Sequence, residues 1–168
     1  MNLYLLRHGL AVEPGTPGFA HDADRPLTRK GERKLRSIAA AMRAMELNFD
    51  HILSSPYVRA RRTAEIVAQI LGQSRKLKFS QALTPGANAR QLVQELHDLA
   101  PPPEEILLVG HEPYLSQLVS LLVSGDSDCL IALKKGGLCK LSVTNSLRAG
   151  RCGEVQWLLT PKQMALMG

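Results

Sequence analysis

The sequence is poor in aromatic residues and in cysteine. Aromatic residues make up 4% of the 168 residues, which leaves few side chains on which nucleic-acid bases could stack. Cys129, Cys139 and Cys152 are an odd number of cysteines without Cys-x-x-Cys spacing, so neither a disulfide framework nor a zinc site is expected. This cysteine usage favours a reducing, cytoplasmic environment.

Long apolar runs are also absent, and this argues against a membrane location. No apolar segment approaches the roughly 20 residues that a membrane-spanning helix needs. Arg7 and His8 interrupt the first apolar stretch before it reaches the length of a secretion signal. The chain is long enough to bury a full core, and no linker or repeat divides it. We expect one domain over residues 1–168.

The formal net charge of +6 raises the question of nucleic-acid binding. The basic clusters are Arg29-Lys30, Arg33-Lys34-Arg36, Arg59-Arg61-Arg62, Arg75-Lys76-Lys78 and Lys134-Lys135. Because these clusters are spread along the chain and aromatic residues are few, solvated helix faces are favoured and no nucleic-acid partner is expected. The next best use of the charge is to attract an anionic substrate.

Hydrophobic patterning predicts strands that alternate with helices. The apolar runs that predict strands span residues 2–7, 51–54, 77–79 and 105–110. Helical periodicity begins near Thr28, Pro56, Asn88 and Pro113. Two further runs, 138–144 and 155–159, lie on either side of a Gly-containing turn and predict an antiparallel hairpin. This order predicts an α/β fold, a three-layer αβα sandwich with a mixed, mostly parallel sheet.

Polar residues follow three of the predicted strands. His8 follows the first strand, Ser55 follows the second, and His111 follows the strand over 105–110. Since ligands bind beyond the carboxyl ends of parallel strands, these positions converge on one edge of the sheet. Arg7 adjoins His8, and Arg59 lies in the first turn of the helix after Ser55. Two guanidinium forks and two imidazoles predict a phosphoryl pocket in which a neutral imidazole nitrogen is the nucleophile.

Four segments in a fixed order form the most specific pattern in the chain. They are Leu6-Arg7-His8-Gly9, Arg25-Pro26-Leu27-Thr28, Ser54-Ser55-Pro56-Tyr57-Val58-Arg59-Ala60 and Val109-Gly110-His111-Glu112-Pro113. This set resembles the histidine phosphatase superfamily, which also contains the phosphoglycerate mutases. The short chain and the early Pro-Leu-Thr block are most similar to its phosphohistidine phosphatase branch, the SixA type. The resemblance covers residues 3 to about 123 and implies a phosphoglycerate mutase-like fold.

The resemblance also implies a role for individual positions. His8 would be the nucleophile that becomes phosphorylated, with its second ring nitrogen held by a backbone carbonyl near Gly9. Arg7 and Arg59 would clamp the phosphate, and His111 would stabilise the phosphoryl group during transfer.

The sequence does not decide the roles of one arginine and of the acidic residues. Arg25 either faces the pocket or lies at the surface. Many superfamily members place an acid between the clamp arginine and the second histidine, but residues 81–88 contain none. Glu95 and Asp98 lie further along and are expected to be exposed, and Glu112 is expected to serve as an N-terminal charge of the next helix.

The missing acid favours a particular substrate. General acid catalysis contributes about 10²–10⁴-fold for a poor leaving group, whereas the ring nitrogen of phosphohistidine takes its proton from solution. We therefore predict a phosphohistidine phosphatase that forms phospho-His8 and needs no metal or cofactor. Its partner would be a phosphohistidine-bearing protein, for example a histidine phosphotransfer domain, or a small phosphorylated molecule. The alternatives are a small-molecule phosphomonoesterase, with Glu112 or His111 as the acid, and a non-catalytic phosphoryl-binding module.

Overall fold

The computed structural model describes residues 1–143 and 146–167, and strands alternate with helices over most of this length. Within these residues the strands are β1 (Asn2–Arg7), β2 (His51–Ser54), β3 (Leu77–Phe79), β4 (Glu105–Gly110), β5 (Leu138–Val143) and β6 (Gly153–Leu159). The α-helices are α1 (Arg29–Ala44), α2 (Val58–Ile70), α3 (Ala89–His97), α4 (Tyr114–Ser124) and α5 (Pro161–Met164). A short 3-10 helix, Asp22–Asp24, lies in the loop between β1 and α1.

The strands form a single sheet in the order β3-β2-β4-β1-β5-β6. The first four strands of this order run parallel, β5 is antiparallel to β1, and β6 is antiparallel to β5. Arg7 at the end of β1 pairs with Gly110 at the end of β4, and Ser54 at the end of β2 pairs with Val109. The carboxyl ends of three central strands therefore lie side by side, and the predicted mixed, mostly parallel sheet is confirmed.

Apolar side chains cover both faces of the sheet. Along β1, Leu3 and Leu5 belong to the core under α3 and α4, whereas Tyr4 and Leu6 belong to the core under α1, α2 and α5. This alternation follows from the two-residue period of a strand. Each fully buried leucine side chain stabilises the fold by about 1.5–3 kcal/mol relative to an exposed one. The two cores produce the predicted three-layer αβα sandwich.

Two glycines let α1 pack directly against the chain that follows β1. A Cβ atom on Gly31 would lie 2.1 Å from the carbonyl oxygen of Leu10, and a Cβ on Gly9 would lie 2.6 Å from Leu35 Cδ1. The contact with backbone means that position 31 requires glycine, whereas a Cβ at position 9 would force the buried Leu35 side chain to move. Thr28 fixes the start of α1, because its Oγ1 accepts a hydrogen bond from the Gly31 backbone N–H (3.0 Å). The segment around His8 is thereby held against a rigid helix.

The helices differ from the predicted boundaries in a few places. α2 begins at Val58 rather than Pro56, because the Tyr57 N–H donates to Ser55 Oγ (3.3 Å) and keeps this segment in a turn. α5 was not predicted; at only four residues it is too short to show helical periodicity, and a capping box at Thr160 starts it. Thr144 in the predicted hairpin and Gly168 at the end of the predicted domain lie outside the described residues. Within the described part of the chain, no helix is long and apolar enough to cross a membrane.

Candidate active site

Three neighbouring strands bring the predicted site residues to one edge of the sheet. The His8 N–H, just after β1, donates to the Gly110 carbonyl at the end of β4 (3.0 Å). The Ser55 N–H, just after β2, donates to the Val109 carbonyl (2.9 Å). The backbone is thus hydrogen-bonded across all three strand ends. His8 and His111 are both buried, with ring centroids 5.2 Å apart.

The hydrogen bonds of His8 define its tautomer. Its Nε2 lies 3.2 Å from Arg59 Nε, and because a guanidinium only donates, Nε2 must be the acceptor. The proton of the neutral ring is therefore on Nδ1, which donates to the Gly9 carbonyl oxygen at 2.8 Å. Nε2 carries the free electron pair and faces the guanidinium of Arg59. This is the tautomer that a nucleophilic imidazole needs.

His8 is neutral over the whole neutral pH range. Burial is the largest cause, and it lowers the pKa of His8 to about 3. The hydrogen bond to Gly9 opposes this shift, whereas the positive charges of Arg59, Arg7 and Lys135 add to it. The electron pair on Nε2 is consequently free of a proton at physiological pH.

His111 lies beside His8 and is held by a serine. Its Nε2 is 2.8 Å from Ser55 Oγ, and its ring makes an edge contact with Tyr57 at 5.2 Å between centroids. Burial, followed by the charge of Arg59 and the neighbouring His8, lowers the pKa of His111 to about 3. In the part of the chain that the structure describes, His111 Nδ1 is buried without a hydrogen-bond partner.

Arg59 extends from the first turn of α2 into the space beside His8. The side chain is buried, although the sequence would allow a solvated helix arginine here. Its Nη1 donates to the backbone carbonyl of Asp22 (2.6 Å), and its Nη2 donates to Asp22 Oδ2 (2.8 Å). All three nitrogens of the guanidinium are therefore engaged, one with the nucleophile and two with Asp22.

Asp22 is a component of the site that the sequence did not indicate. It belongs to the 3-10 helix between β1 and α1, and its carboxylate bridges Arg59 and Arg25. Partial burial alone would raise the pKa of Asp22, but hydrogen bonds from Arg25 and Arg59 lower it below its usual range. An anionic group thus lies between two arginines next to His8. No local sequence signal marks this aspartate, because its placement depends on how the loop folds back.

Arg25 faces this site rather than the bulk solvent. Its side chain is 12% exposed, its Nη2 lies 2.6 Å from Asp22 Oδ1, and its Nη1 donates to the Val12 carbonyl (2.6 Å). Its positive charge also contributes to the lowered pKa of His111. Of the two placements that the sequence left open for Arg25, the structure shows the one toward the pocket.

The guanidinium of Arg7 has one nitrogen that is hydrogen-bonded to the protein and another that is not. Its Nη1 donates to the Leu133 carbonyl (2.9 Å). Among the described residues its buried Nε has no hydrogen-bond partner. Burial lowers the pKa of Arg7, and the charge of Glu112 opposes that shift. Arg7 therefore presents a buried donor that the protein itself leaves unsatisfied.

Comparison with known proteins identifies the family. The sequence model of the histidine phosphatase superfamily (branch 1) matches residues 3–84. An uncharacterised protein of a Picosynechococcus strain is 35% identical over 165 residues, which cover 96% of this chain and 98% of that protein. The chain belongs to the histidine phosphatase superfamily. This membership supports the prediction that the protein is a phosphatase.

Two further proteins are similar to this chain, one over a smaller part of its length and one at lower identity. Escherichia coli GpmB, a probable phosphoglycerate mutase, is 43% identical over 72 residues, which are 43% of this chain and 33% of GpmB. The solved structure of the protein histidine phosphatase SixA complexed with tungstate has a TM-score of 0.82 at 24% identity, covering 96% of this chain and 98% of SixA. These similarities confirm the phosphoglycerate mutase-like fold.

The predicted exposure of two acidic residues, Glu95 and Asp98, is only partly confirmed. Asp98 is exposed as expected, but Glu95 is half-buried, because it accepts a hydrogen bond from Ser80 Oγ at the end of β3. Glu112 contacts the first turn of α4, where Ser116 Oγ donates to its Oε2 (2.6 Å). Among the described residues, no group of three or more histidine, cysteine or acidic side chains is arranged to hold a metal ion.

Proposed function

We propose that this protein hydrolyses phosphohistidine through a covalent phospho-His8 intermediate. The observation that carries the proposal is the state of His8, a neutral imidazole whose Nδ1–H is held by the Gly9 carbonyl and whose Nε2 electron pair faces Arg59. A phosphohistidine substrate would place its phosphoryl group between Nε2 and the guanidinium. Arg59 would then donate to phosphoryl oxygens instead of to His8.

The reaction takes two steps. In the first, the electron pair on His8 Nε2 forms a bond to phosphorus while the P–N bond of the substrate breaks. The substrate ring already carries a solvent-derived proton on its other nitrogen, so it leaves as neutral imidazole. In the second, the oxygen of a water molecule forms a bond to phosphorus while the bond between phosphorus and Nε2 breaks. The water oxygen becomes part of inorganic phosphate, and the water protons pass to phosphate or to solvent. His8 returns to its neutral form.

The remaining side chains supply hydrogen bonds to the phosphoryl oxygens. Arg7 Nε and His111 Nδ1 are buried polar atoms without partners in the described structure, and such atoms are costly unless a ligand satisfies them. An oxyanion beside His8 is an acceptor for both. We assign Arg7 and Arg59 as phosphate clamps, His111 as a stabiliser of the transferring group, and Arg25 and Gly9 as substrate-binding residues. The solved structure of SixA, which shares the fold, is complexed with tungstate, and this supports a fold that can bind an oxyanion.

The acidic residues favour a phosphoramidate over an alcohol ester. Residues 81–88 contain no acid, Glu95 is bonded to Ser80, and Glu112 is bonded to Ser116. Asp22 lies in the site, but the hydrogen bonds that lower its pKa keep it ionised. Glu112 follows His111 directly, and among the described residues its Oε1 is buried without a partner. An alkoxide leaving group would depend on Glu112 for its proton, whereas an imidazole that is already protonated leaves without a donor. We therefore favour phosphohistidine over sugar phosphates as the substrate and expect no mutase activity.

The test compares two substrates and looks for the intermediate. The protein is incubated with a ³²P-phosphohistidine peptide and, separately, with an alkyl phosphate monoester. We expect release of phosphate from the peptide at least about 10²-fold faster than from the ester, together with label on the protein that is acid-labile and alkali-stable. Equal rates for both would favour the small-molecule phosphomonoesterase. Absence of turnover with either substrate would instead favour a non-catalytic phosphoryl-binding module and overturn the proposal.

Asp22 yields a separate prediction about phosphate binding. Its carboxylate occupies Nη2 of Arg59 and repels an incoming phosphate, so Asp22→Asn should lower the inhibition constant of inorganic phosphate by about tenfold, the effect of one charged hydrogen bond. Competitive inhibition by phosphate in a phosphohistidine assay measures this. Asp24→Asn is the matched control, because Asp24 is exposed in the same 3-10 helix. If both variants behave like wild type, Asp22 does not compete with phosphate.

A further inference from the structure

A cavity of about 470 Å³ adjoins the proposed phosphoryl site. It shares Arg7 and Gly9 with that site, so a ligand that extends away from His8 on this side enters the cavity. Its floor includes the apolar residues Leu10, Leu35 and Ile38 of the β1–α1 segment and of α1. Apart from Arg7 and Gly9, the lining residues have no role in the proposed reaction.

Four lysines line the same cavity from three parts of the chain. Lys34 comes from α1, Lys134 and Lys135 precede β5, and Lys162 lies in α5. Within the described residues, the one salt bridge of this group joins Lys135 Nζ to Glu13 Oε1 at 3.7 Å, and Glu13 is itself highly exposed. Several ammonium groups around one cavity repel one another, and an anionic ligand removes that repulsion.

The positive charges of the lysine-lined cavity act on the nucleophile. The charge of Lys135 contributes to the lowered pKa of His8, which places its ammonium group within Coulombic range of the ring. Arg7 belongs to both sites. The cavity therefore lies where the part of a substrate next to its phosphoryl group would rest.

We propose that this cavity receives an acidic segment of the protein that carries the phosphohistidine. The inference rests on the proposed function, because a phosphohistidine side chain that reaches His8 brings its flanking residues onto the surrounding surface. Aspartate or glutamate side chains would pair with the lysines, and an apolar side chain between them would contact Leu10, which is partly exposed, whereas Leu35 and Ile38 are already buried. Charge complementarity of this kind raises the association rate and selects among partners.

The experiment uses three substrates and three double variants, the third of which replaces the same two lysines as the first with glutamine. The substrates are phosphoramidate, a phosphohistidine peptide with flanking Asp, Glu and Leu, and a peptide of equal length with flanking Gln and Leu. Lys34→Glu/Lys162→Glu reverses two charges of the cavity and leaves the proposed catalytic residues intact. Arg75→Glu/Lys78→Glu makes the same change in net charge near β3, at the opposite edge of the sheet from β5 and β6.

The expected result is a preference that depends on the cavity. At low salt the wild type and the Arg75→Glu/Lys78→Glu control should show a kcat/KM about tenfold higher for the acidic peptide than for the neutral one. Lys34→Glu/Lys162→Glu should lose that preference, and 0.5 M salt should reduce it in the wild type. All three proteins should hydrolyse phosphoramidate at equal rates. Lys34→Gln/Lys162→Gln, which avoids charge reversal, should show a smaller loss of the same sign.

Other outcomes overturn the inference in distinguishable ways. Turnover of phosphoramidate without any preference for the acidic peptide shows that the cavity does not bind an acidic segment of the partner, while the proposed function stands. An equal loss on all three substrates in Lys34→Glu/Lys162→Glu shows that the lysines act on the catalytic site instead. No turnover of any substrate by the wild type means that the proposed function itself has failed.

Discussion

Replacing His8 with asparagine should abolish the acid-labile phosphoenzyme and reduce phosphohistidine hydrolysis by about 10⁴-fold or more, as loss of a covalent nucleophile does. Asparagine retains a polar side chain that can accept a hydrogen bond from Arg59, but it has no basic nitrogen to attack phosphorus. The electron pair on His8 Nε2 is the group removed, and burial keeps that nitrogen unprotonated in the wild type. The measurements are steady-state phosphate release and label retained on the protein after alkaline denaturation.

The control for His8→Asn is His51→Asn. His51 begins β2, so it lies at the amino end of the strands, away from the edge that carries His8 and His111. We expect His51→Asn to retain both the labelled intermediate and the rate. If His8→Asn still forms an acid-labile, alkali-stable label, another histidine is the nucleophile, and His111 is the first to test by the same substitution.

The positions of the two histidines could be predicted because they follow from local sequence. Short apolar runs define β1 and β4, and a polar residue directly after such a run lies at the carboxyl edge of the sheet. The order of the strands could not be predicted from local sequence, and the observed pairing of Arg7 with Gly110 is what brings His8 and His111 together. Arg59 could be placed for a similar reason, since it lies in the first turn of a helix that begins after β2.

The chemical environment of Arg59 could not be predicted in this way. Its burial and two of its hydrogen bonds depend on Asp22, which is 37 residues away in a loop without apolar periodicity. Glu95 shows the same limit, because its partial burial comes from Ser80, a residue of a different element. Local patterns place residues on elements, whereas the partner of a polar side chain depends on long-range packing.

The stability of an Arg59→Ala variant should be close to that of the wild type. Arg59 is buried, but its main ionic partner, the Asp22 side chain, is 51% exposed and can be hydrated when the guanidinium is removed. Burial and the like charge of Arg25 both lower the pKa of Arg59, which means that both disfavour the charged guanidinium in the folded protein. These costs offset part of the stability that its hydrogen bonds contribute. We expect the free energy of unfolding to change by about 1 kcal/mol or less, measured by denaturant titration beside Arg61→Ala, an exposed arginine of the same helix.

The activity of Arg59→Ala should nevertheless fall by about 10³-fold, because removing a donor aimed at the charge of a transferring phosphoryl group typically costs 10²–10³ or more. Arg59→Lys should recover only part of this loss, since an ammonium group keeps the charge but not the planar fork that spans two oxygens. Arg61→Ala should retain full activity. A large loss of stability in Arg59→Ala, with activity that falls in proportion to the folded fraction, would mean that Arg59 holds the loop around Asp22 in place and does not bind the phosphoryl group. A folded and inactive Arg59→Ala, partly restored by lysine, shows that the positive charge at this position acts within the site, on the phosphoryl group or on His8, and not through the stability of the fold.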